Sequence, residues 1–127
     1  MKVLLIDDDG LFRRGLKSSL SRLGIEVEML SCAHEAMRRL RSTAYDALIC
    51  DVVLPGTDGL SLIQGLRRAG FSLPCYVISS TDTALMRAAA WEVGAQSFFP
   101  KPVNHFQLGA ALAGLRAPCK RSLPKGS

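Results

Sequence analysis

The chain has 127 residues, of which 48% are hydrophobic and 21% charged, as expected for one globular domain with its own core. The formal charge is +5, but Lys120, Arg121 and Lys125 lie in the last ten residues, which leaves +2 on residues 1–117. A body this close to neutral, without a basic stripe, a zinc-finger spacing or an apolar run of about eighteen residues, argues against nucleic-acid binding and membrane insertion.

The first part of the chain alternates short apolar runs with amphipathic segments. Residues 2–6 predict a strand, and residues 11–23 carry apolar side chains at helical spacing. Gly24 is suited to end that helix, because glycine adopts a positive φ without strain. Residues 25–30 then alternate like a strand with one wetter face, and residues 31–41 predict a second helix.

The third apolar run, residues 48–55, contains a single carboxylate, Asp51. The run predicts a strand buried on both faces, where an ionised carboxylate without a partner costs several kcal/mol. Turn-forming residues follow at positions 55–59. We therefore expect Asp51 at the carboxyl end of the strand, where open α/β sheets hold their ligands.

The second half continues the alternation, with helices expected at residues 60–69, 83–93 and 104–115 and strands at residues 74–78 and 95–99. Five strands alternating with five helices through short loops predict an α/β fold with a parallel sheet covered on both faces.

Pro100 closes the last predicted strand and has no N–H for a neighbouring strand, so this strand should lie at a sheet edge. Composition changes only near the end of the chain. We expect one domain over residues 1–117, followed by a flexible tail or the start of an interdomain linker at residues 118–127.

Polar side chains follow four of the five predicted strands. Asp7 and Asp8 follow the first, Asp51 ends the third, Ser79 follows the fourth and Lys101 follows the fifth. The carboxyl ends of parallel strands meet at one edge, so these side chains should converge. Crowded carboxylates favour Mg²⁺, which prefers oxygen ligands. A carboxylate not fully engaged by the metal can attack phosphorus, with Lys101 and Ser79 contacting the phosphoryl oxygens.

The four cysteines form no C-x-x-C motif, and Cys50 and Cys75 lie inside apolar strand runs, where thiols behave as small hydrophobic groups. This usage favours a reducing compartment. The sequence also lacks a charged-then-apolar leader. We therefore expect a cytoplasmic location.

The whole pattern resembles the receiver domains of bacterial two-component response regulators, over about residues 1–115. The resemblance rests on Leu-Ile-Asp-Asp-Asp at residues 5–9, on the segment Asp-Val-Val-Leu-Pro-Gly-Thr-Asp-Gly at residues 51–59, on the Ser79 hydroxyl and on Lys101-Pro102. It implies a flavodoxin-like, doubly wound five-stranded parallel sheet with strand order 2-1-3-4-5 and five helices.

The resemblance also implies the roles of the acidic residues. Asp51 would accept a phosphoryl group from a histidine kinase or a phosphotransfer protein. Asp7, Asp8 and Asp51 would hold Mg²⁺ together with the backbone carbonyl of Val53, whose apolar side chain is then no objection. Asp9 begins the following helix and is expected to act on its N-terminal dipole instead.

For the remaining positions, the resemblance implies that Ser79 is the switch hydroxyl, that Lys101 contacts the phosphoryl group and that the rotamer of Phe98 follows the state of Ser79. The Lys101-Pro102 bond would be cis. Two positions depart from the commonest family pattern: Ser80 stands where a smaller residue is frequent, and Pro100 directly before Lys101 is unusual. Neither removes a required group.

The expected activity is a phosphorylation switch that catalyses only its own phosphorylation and dephosphorylation, rather than an enzyme. Output would come through a DNA-binding domain beyond Ser127, the only expected contact with DNA, or through protein contacts. The alternative is a Mg²⁺-dependent phosphohydrolase with an aspartate nucleophile, but Val53 occupies the position of its usual general acid. A flavin carrier is disfavoured, because the acidic first loop would repel the cofactor phosphate.

The last two predicted helices carry unusually few charges. No formally charged residue lies between positions 102 and 115 if His105 is neutral, and residues 85–91 are nearly as apolar. Leu108, Leu112 and Phe106 make the last helix apolar over more than one face. We therefore expect an exposed apolar patch over the fourth and fifth helices and a possible homodimer through it.

Overall fold

The computed structural model describes residues 1–115, so the expected tail at residues 118–127, and Cys119 within it, lie outside the described residues. Seven strands are present among the described residues, and two short ones, β4 (Val53–Leu54) and β5 (Thr57–Asp58), form a hairpin apart from the central sheet. The central sheet consists of five parallel strands: β1 (Lys2–Ile6), β2 (Glu26–Leu30), β3 (Ala47–Asp51), β6 (Cys75–Ser79) and β7 (Ser97–Pro100). Their order is β2-β1-β3-β6-β7, which is the expected 2-1-3-4-5 order of the five main strands. The predicted edge position of the last strand is confirmed.

Five helices cover the two faces of the sheet: α1 (Gly10–Ser21), α2 (Ala36–Ser42), α3 (Gly59–Arg68), α4 (Ala84–Glu92) and α5 (His105–Leu115). Helices α1 and α5 pack on one face, through Leu16, Leu20, Leu108 and Leu112. Helices α2, α3 and α4 pack on the other, through Ala36, Leu40, Ile63, Leu66 and Ala90. The doubly wound architecture expected from the alternation is confirmed.

Strand β3 is buried along its whole length, which explains its continuous apolar sequence. Leu48 and Cys50 face the core under α2, α3 and α4, whereas Ala47 and Ile49 face the core under α1 and α5. Each fully buried leucine or isoleucine contributes about 1.5–3 kcal/mol relative to an exposed one. This strand therefore joins both cores and carries Asp51 at its carboxyl end.

The apolar run at residues 48–55 is longer than the strand that it predicts, and Asp51 ends this strand as expected. β3 ends at Asp51, and Val53–Leu54 (β4) pairs with Thr57–Asp58 (β5) in a separate antiparallel hairpin. Gly56 takes a φ of 80° in the connecting turn, a conformation that suits glycine. The chain turns away from the sheet after Asp51 and leaves the Val53 side chain 68% exposed, so the apolar run spans two structures.

The predicted helix at residues 31–41 also differs from the structure. A short 3₁₀ turn occupies Ala33–Glu35, and α2 starts only at Ala36. The turn begins at Cys32, which offers no side-chain hydrogen bond to its exposed N–H groups. Without an N-terminal cap, the first turn of the segment is wound more tightly than an α-helix.

Arg67 on α3 connects two loops at the amino edge of the sheet. Its guanidinium donates hydrogen bonds to the carbonyls of Phe71 (3.1 Å), Leu73 (2.9 Å) and Gly94 (2.9 Å). The first two carbonyls belong to the loop before β6, and the third lies in the turn between α4 and β7. One side chain thus donates hydrogen bonds to three loop carbonyl oxygens that have no partner in the sheet.

Candidate functional site

Asp7, Asp8 and Asp51 form an acidic cluster at the carboxyl edge of the sheet. Each offers a carboxylate oxygen, and the three oxygens lie within 4.8 Å of one another. Pairing of Ile6 with Cys50 brings the residues that follow, Asp7 and Asp51, to neighbouring strand ends. Asp7 and Asp51 are buried, whereas Asp8 is exposed. The convergence expected from parallel strands is present in the structure.

Lys101 supplies the positive charge of this cluster. Its Nζ lies 2.7 Å from Asp51 Oδ2 and 3.0 Å from Asp7 Oδ2. The backbone N–H of Lys101 donates to the carbonyl of Ser79 at 2.8 Å, and the bond to Pro102 is cis, as the resemblance implied. Burial disfavours the charged form, but the contacts with the two carboxylates outweigh it and raise the pKa of Lys101.

Asp7 has one satisfied oxygen and one unsatisfied oxygen. Oδ1 accepts a hydrogen bond from the N–H of Asp9 at 2.7 Å, whereas the buried Oδ2 has the Lys101 ammonium nearby but no well-formed hydrogen bond. Burial therefore raises the pKa of Asp7, and the hydrogen bond from Asp9 and the contact with Lys101 offset this only in part. A buried carboxylate with a spare oxygen is suited to bind a cation.

Gly59 allows α3 to begin directly beneath Asp51. A Cβ at this position would lie 2.1 Å from the backbone carbonyl oxygen of Asp51 and 2.8 Å from Cys50 Sγ. The Asp58 side chain caps α3 by accepting from the N–H of Ser61. The sequence marks this glycine as a turn former, but the close approach behind it is visible only in the structure.

Ser79 lies buried at the end of β6. Its Oγ accepts a hydrogen bond from the N–H of Thr81 at 3.0 Å. The next helix is capped not by this loop, residues 79–82, but by Thr83, whose Oγ1 accepts a hydrogen bond from the N–H of Met86. The Ser79 hydroxyl proton is therefore not engaged by the cap, and exposed Ser80 follows it at the surface.

Phe98 on β7 is half-buried and is covered by a residue that the sequence analysis missed. The guanidinium of Arg87 stacks over its ring and is itself hydrogen-bonded to Asp82 in the loop after Ser79. No sequence spacing indicates this contact, because it joins Arg87 on α4 to Phe98 on β7, eleven residues further along the chain.

Comparison with known proteins identifies the family. Residues 3–113 match the family model of the response regulator receiver domain. The chain belongs to this family. The receiver domain is 38% identical over 125 residues to the response regulator MprA of Mycobacterium avium, an alignment that covers 98% of this chain and 54% of the relative. Against MprA of Mycobacterium tuberculosis, the identity is 37%, over 98% of this chain and 53% of the relative. The receiver domain thus spans about half the length of these relatives.

Solved structures agree with this family. The receiver domain of the Francisella response regulator 1452 has a TM-score of 0.86 and 25% identity, over 90% of this chain and 94% of that one. The BeF3-activated N-terminal receiver domain of Klebsiella pneumoniae RstA has a TM-score of 0.85 over 91% of this chain and 99% of that one, and its 24% identity supports the fold. The chain is a receiver domain of two-component response regulators.

Receiver domains bind Mg²⁺ at an acidic pocket, and the residues present here fit that ion. The Asp cluster supplies hard oxygen ligands, and the buried Oδ2 of Asp7, which accepts no well-formed hydrogen bond, is available to a metal ion. The predicted carbonyl ligand, Val53, lies beside the cluster, since its N–H donates to Asp51 Oδ1 at 3.1 Å. The ligand role of the Val53 carbonyl stays a prediction.

Two further findings bear on partners. Among residues 1–115, no helix combines the length and the hydropathy needed to cross a membrane. The apolar surface of α5 is smaller than expected, because Leu108 and Leu112 are fully buried and Phe106 is its one large exposed apolar side chain. On α4, Leu85 and Trp91 are exposed. The leucines of α5 lie on the side that faces the sheet, and most of the exposed positions of this helix are alanine or glycine.

Proposed function

We propose that Asp51 accepts a phosphoryl group from the phosphohistidine of a histidine kinase or phosphotransfer protein. The observation that carries this proposal is the Lys101 ammonium between Asp51 Oδ2 and Asp7 Oδ2. When the ammonium turns toward the phosphoryl oxygens, Oδ2 of Asp51 is freed to attack. The O–P bond forms as the P–N bond breaks, and the imidazole nitrogen keeps the electron pair and takes a proton from solvent.

The other residues of the site have distinct roles in this proposal. Asp7, Asp8, Asp51 and the carbonyl of Val53 hold Mg²⁺, which offsets negative charge on the phosphoryl oxygens when it is bound. Lys101 contacts one of these oxygens. Ser79 donates its hydroxyl proton to another, which is possible because its Oγ acts only as an acceptor toward Thr81.

Slow hydrolysis of the aspartyl phosphate by water completes the cycle, so we propose self-dephosphorylation rather than turnover of an external substrate. A phosphohydrolase with an aspartate nucleophile needs a proton donor near the leaving group. Val53, at the position where such enzymes usually carry that donor, offers only an apolar side chain and a backbone N–H bonded to Asp51. The site therefore favours a switch over an enzyme.

The output of the switch is also part of the proposal. Because the chain spans about half of the MprA relatives, we propose that phosphorylation controls either a DNA-binding domain outside this chain or a target protein. The near-neutral body makes direct DNA contact by the receiver domain unfavourable. A cytoplasmic location fits the buried free thiols of Cys50 and Cys75, whose pKa values burial raises.

Intact-mass measurement after incubation with acetyl phosphate and Mg²⁺ tests the proposal. One added phosphoryl group is expected, and it should disappear in Asp51→Asn and when Mg²⁺ is chelated. Asp58→Asn is the matched control, because Asp58 lies close in sequence but caps α3, and asparagine caps equally well. An undiminished yield in Asp51→Asn would refute the assignment.

A further inference from the structure

We propose that Phe12 is a positioning residue that holds the Lys101 ammonium at the acidic cluster. This inference rests on the proposed role of Lys101 in phosphoryl transfer. Phe12 lies in the first turn of α1, and the centroid of its ring is 4.9 Å from Lys101 Nζ. The same Nζ contacts Asp51 at 2.7 Å and Asp7 at 3.0 Å. The ring is therefore the third contact of the ammonium.

The orientation of the Phe12 ring is set by α5. His105 makes an edge contact with the ring, at 6.4 Å between centroids and 71° between planes. His105 is held in turn by the Ser19 hydroxyl, 2.8 Å from its Nδ1. Gly15 leaves room for the imidazole, since a Cβ there would lie 3.9 Å from His105 Cε1. These contacts between α1 and α5 keep the face of the Phe12 ring toward Lys101.

The face of an aromatic ring attracts a cation, and the attraction increases when the cation is partly removed from water. The Lys101 side chain is only 22% exposed. During phosphoryl transfer, the ammonium exchanges Asp51 Oδ2 for a phosphoryl oxygen. The ring attracts the cation without forming a strong hydrogen bond that would have to be broken. Phe12 thus keeps Nζ within the site during the exchange instead of releasing it to solvent.

A leucine at position 12 would fill the same apolar space without offering a ring face to the ammonium. The positioning role therefore predicts different rates for leucine and phenylalanine at this position. Phosphorylation by acetyl phosphate in Mg²⁺ should be about three- to tenfold slower in Phe12→Leu, the effect of losing one partly desolvated cation–ring contact. Phe12→Tyr keeps the ring face and should restore the rate. Phe106→Leu, on the exposed side of α5, is the matched control and should leave the rate unchanged.

Site-specific fluorination gives a second test, because mono-, di- and trifluorinated phenylalanine weaken the ring's attraction for cations while nearly preserving its shape. With these residues at position 12, the logarithm of the rate constant should fall stepwise. A ring that acts only as packing would give the same rate throughout. The free energy of unfolding, measured in parallel, checks that each fluorinated protein remains folded.

The contact can also be observed without metal or phosphodonor. In NMR spectra of the metal-free protein, the Lys101 Hε protons should be shifted upfield by the ring current of Phe12, and the shift should be lost in Phe12→Leu and retained in Phe12→Tyr. If the wild type is phosphorylated and the fluorinated series shows no change in rate, the positioning role is overturned and the proposed function stands. If the wild type accepts no phosphoryl group, both are overturned.

Discussion

The guanidinium carbon of Arg87 lies 4.8 Å from the centre of the Phe98 ring, and Arg87 also makes two hydrogen bonds to the Asp82 carboxylate, at 2.7 and 3.2 Å. Asp82 follows Ser79 by three residues, so one exposed arginine connects the loop at the carboxyl end of β6 with the aromatic side chain of β7. This arrangement holds the half-buried Phe98 ring against the guanidinium of Arg87.

Removing this cover should favour an inward Phe98. A cation–ring contact at an exposed site contributes about 0.5–1 kcal/mol, so Arg87→Ala should raise the inward population about two- to fivefold. The ¹⁹F spectrum of 4-fluorophenylalanine at position 98, titrated with beryllofluoride, measures this. Arg38→Ala is the control, because Arg38 forms an exposed ion pair on α2, away from Phe98. Identical titrations for Arg87→Ala and the wild type would contradict the prediction.

Neutralising Asp7 should stabilise the metal-free fold. Asp7→Asn removes a buried charge with an unsatisfied oxygen, so its free energy of unfolding in EDTA should rise by on the order of 1 kcal/mol. Saturating Mg²⁺ should stabilise the wild type and cancel this advantage, because the variant loses a ligand. Urea unfolding with and without Mg²⁺ provides the comparison. Lower stability of the variant in EDTA would show that Asp7 is well satisfied by Lys101 alone.

The pH dependence has a defined sign. Burial raises the pKa of Asp7 in the folded state above its ordinary value of 3.8. At a pH between 3.8 and this raised pKa, the folded state therefore binds more protons than the unfolded state. The free energy of unfolding of the metal-free protein should therefore fall as the pH rises through this window. The part of this pH dependence that comes from Asp7 should be absent in Asp7→Asn. Asp82 gives the opposite sign, because its hydrogen bonds with Arg87 lower its pKa. The free energy of unfolding, measured against pH for the wild type, Asp7→Asn and Asp82→Asn, separates the two contributions.

Asp8 and Asp9 should have different roles despite being neighbours. Asp9 caps α1 by accepting from the N–H groups of Leu11 and Phe12, at 3.1 and 3.2 Å, so Asp9→Ala should cost about 1 kcal/mol of stability. Asp8 belongs to the acidic cluster, and Asp8→Ala should weaken Mg²⁺ binding at least about tenfold, or 1.4 kcal/mol. Calorimetry and thermal unfolding distinguish them. Weaker Mg²⁺ binding in Asp9→Ala than in Asp8→Ala would show that the metal ligand is Asp9 instead of Asp8.

Gly59 should not tolerate a side chain. Gly59→Ala places a methyl group 2.1 Å from the Asp51 carbonyl, so α3 or the end of β3 must move, at a cost of about 1–3 kcal/mol. Gly65→Ala in the same helix is the matched control, because nothing lies within 4 Å of its added Cβ, and it should be neutral or stabilising by about 0.5–1 kcal/mol. Equal stabilities of the two variants would refute the close approach.

Phosphorylation should promote self-association through α4. Sedimentation velocity with beryllofluoride should show a larger species that Leu85→Glu abolishes, since the Leu85 side chain is 82% exposed. Leu11→Glu is the control: Leu11 is 76% exposed but lies on α1. Leu112 is unsuitable for this test, because its full burial would make a charge there unfold the protein. A monomer under all conditions would leave a different protein as the target.

The sequence predicted the elements that depend on strong local signals. β1, β3 and β6 are apolar runs with abrupt polar ends, and parallel topology alone brings Asp7, Asp51 and Lys101 together. The hairpin of β4 and β5 was missed, because Val53 and Leu54 continue the apolar run although the backbone has left the sheet. Apolar composition indicates burial but does not specify the hydrogen-bond partner.

Two other features were beyond sequence reasoning for different reasons. The buried side of α5 could not be chosen, because no charged residue marks its outer face, and the apolar patch expected on this helix was therefore larger than the one observed. Phe12 was only one apolar position of the first predicted helix, and nothing in the sequence singled out Arg87. Their contacts with Lys101 and Phe98 depend on the distances between elements, which residue spacing does not contain.

The three hydrogen bonds of Arg67 limit how α4 can move. They attach the turn at the C-terminal end of α4, through Gly94, to the loop before β6. At the other end of α4, the cap of Thr83 and the ion pair of Asp82 with Arg87 are contacts within the helix and its own loop, and the stacking of Arg87 on Phe98 is a weaker contact with β7. A displacement that starts at Ser79 would therefore swing the N-terminal end of α4 about a hinge at Gly94, so that Leu85 travels further than Trp91.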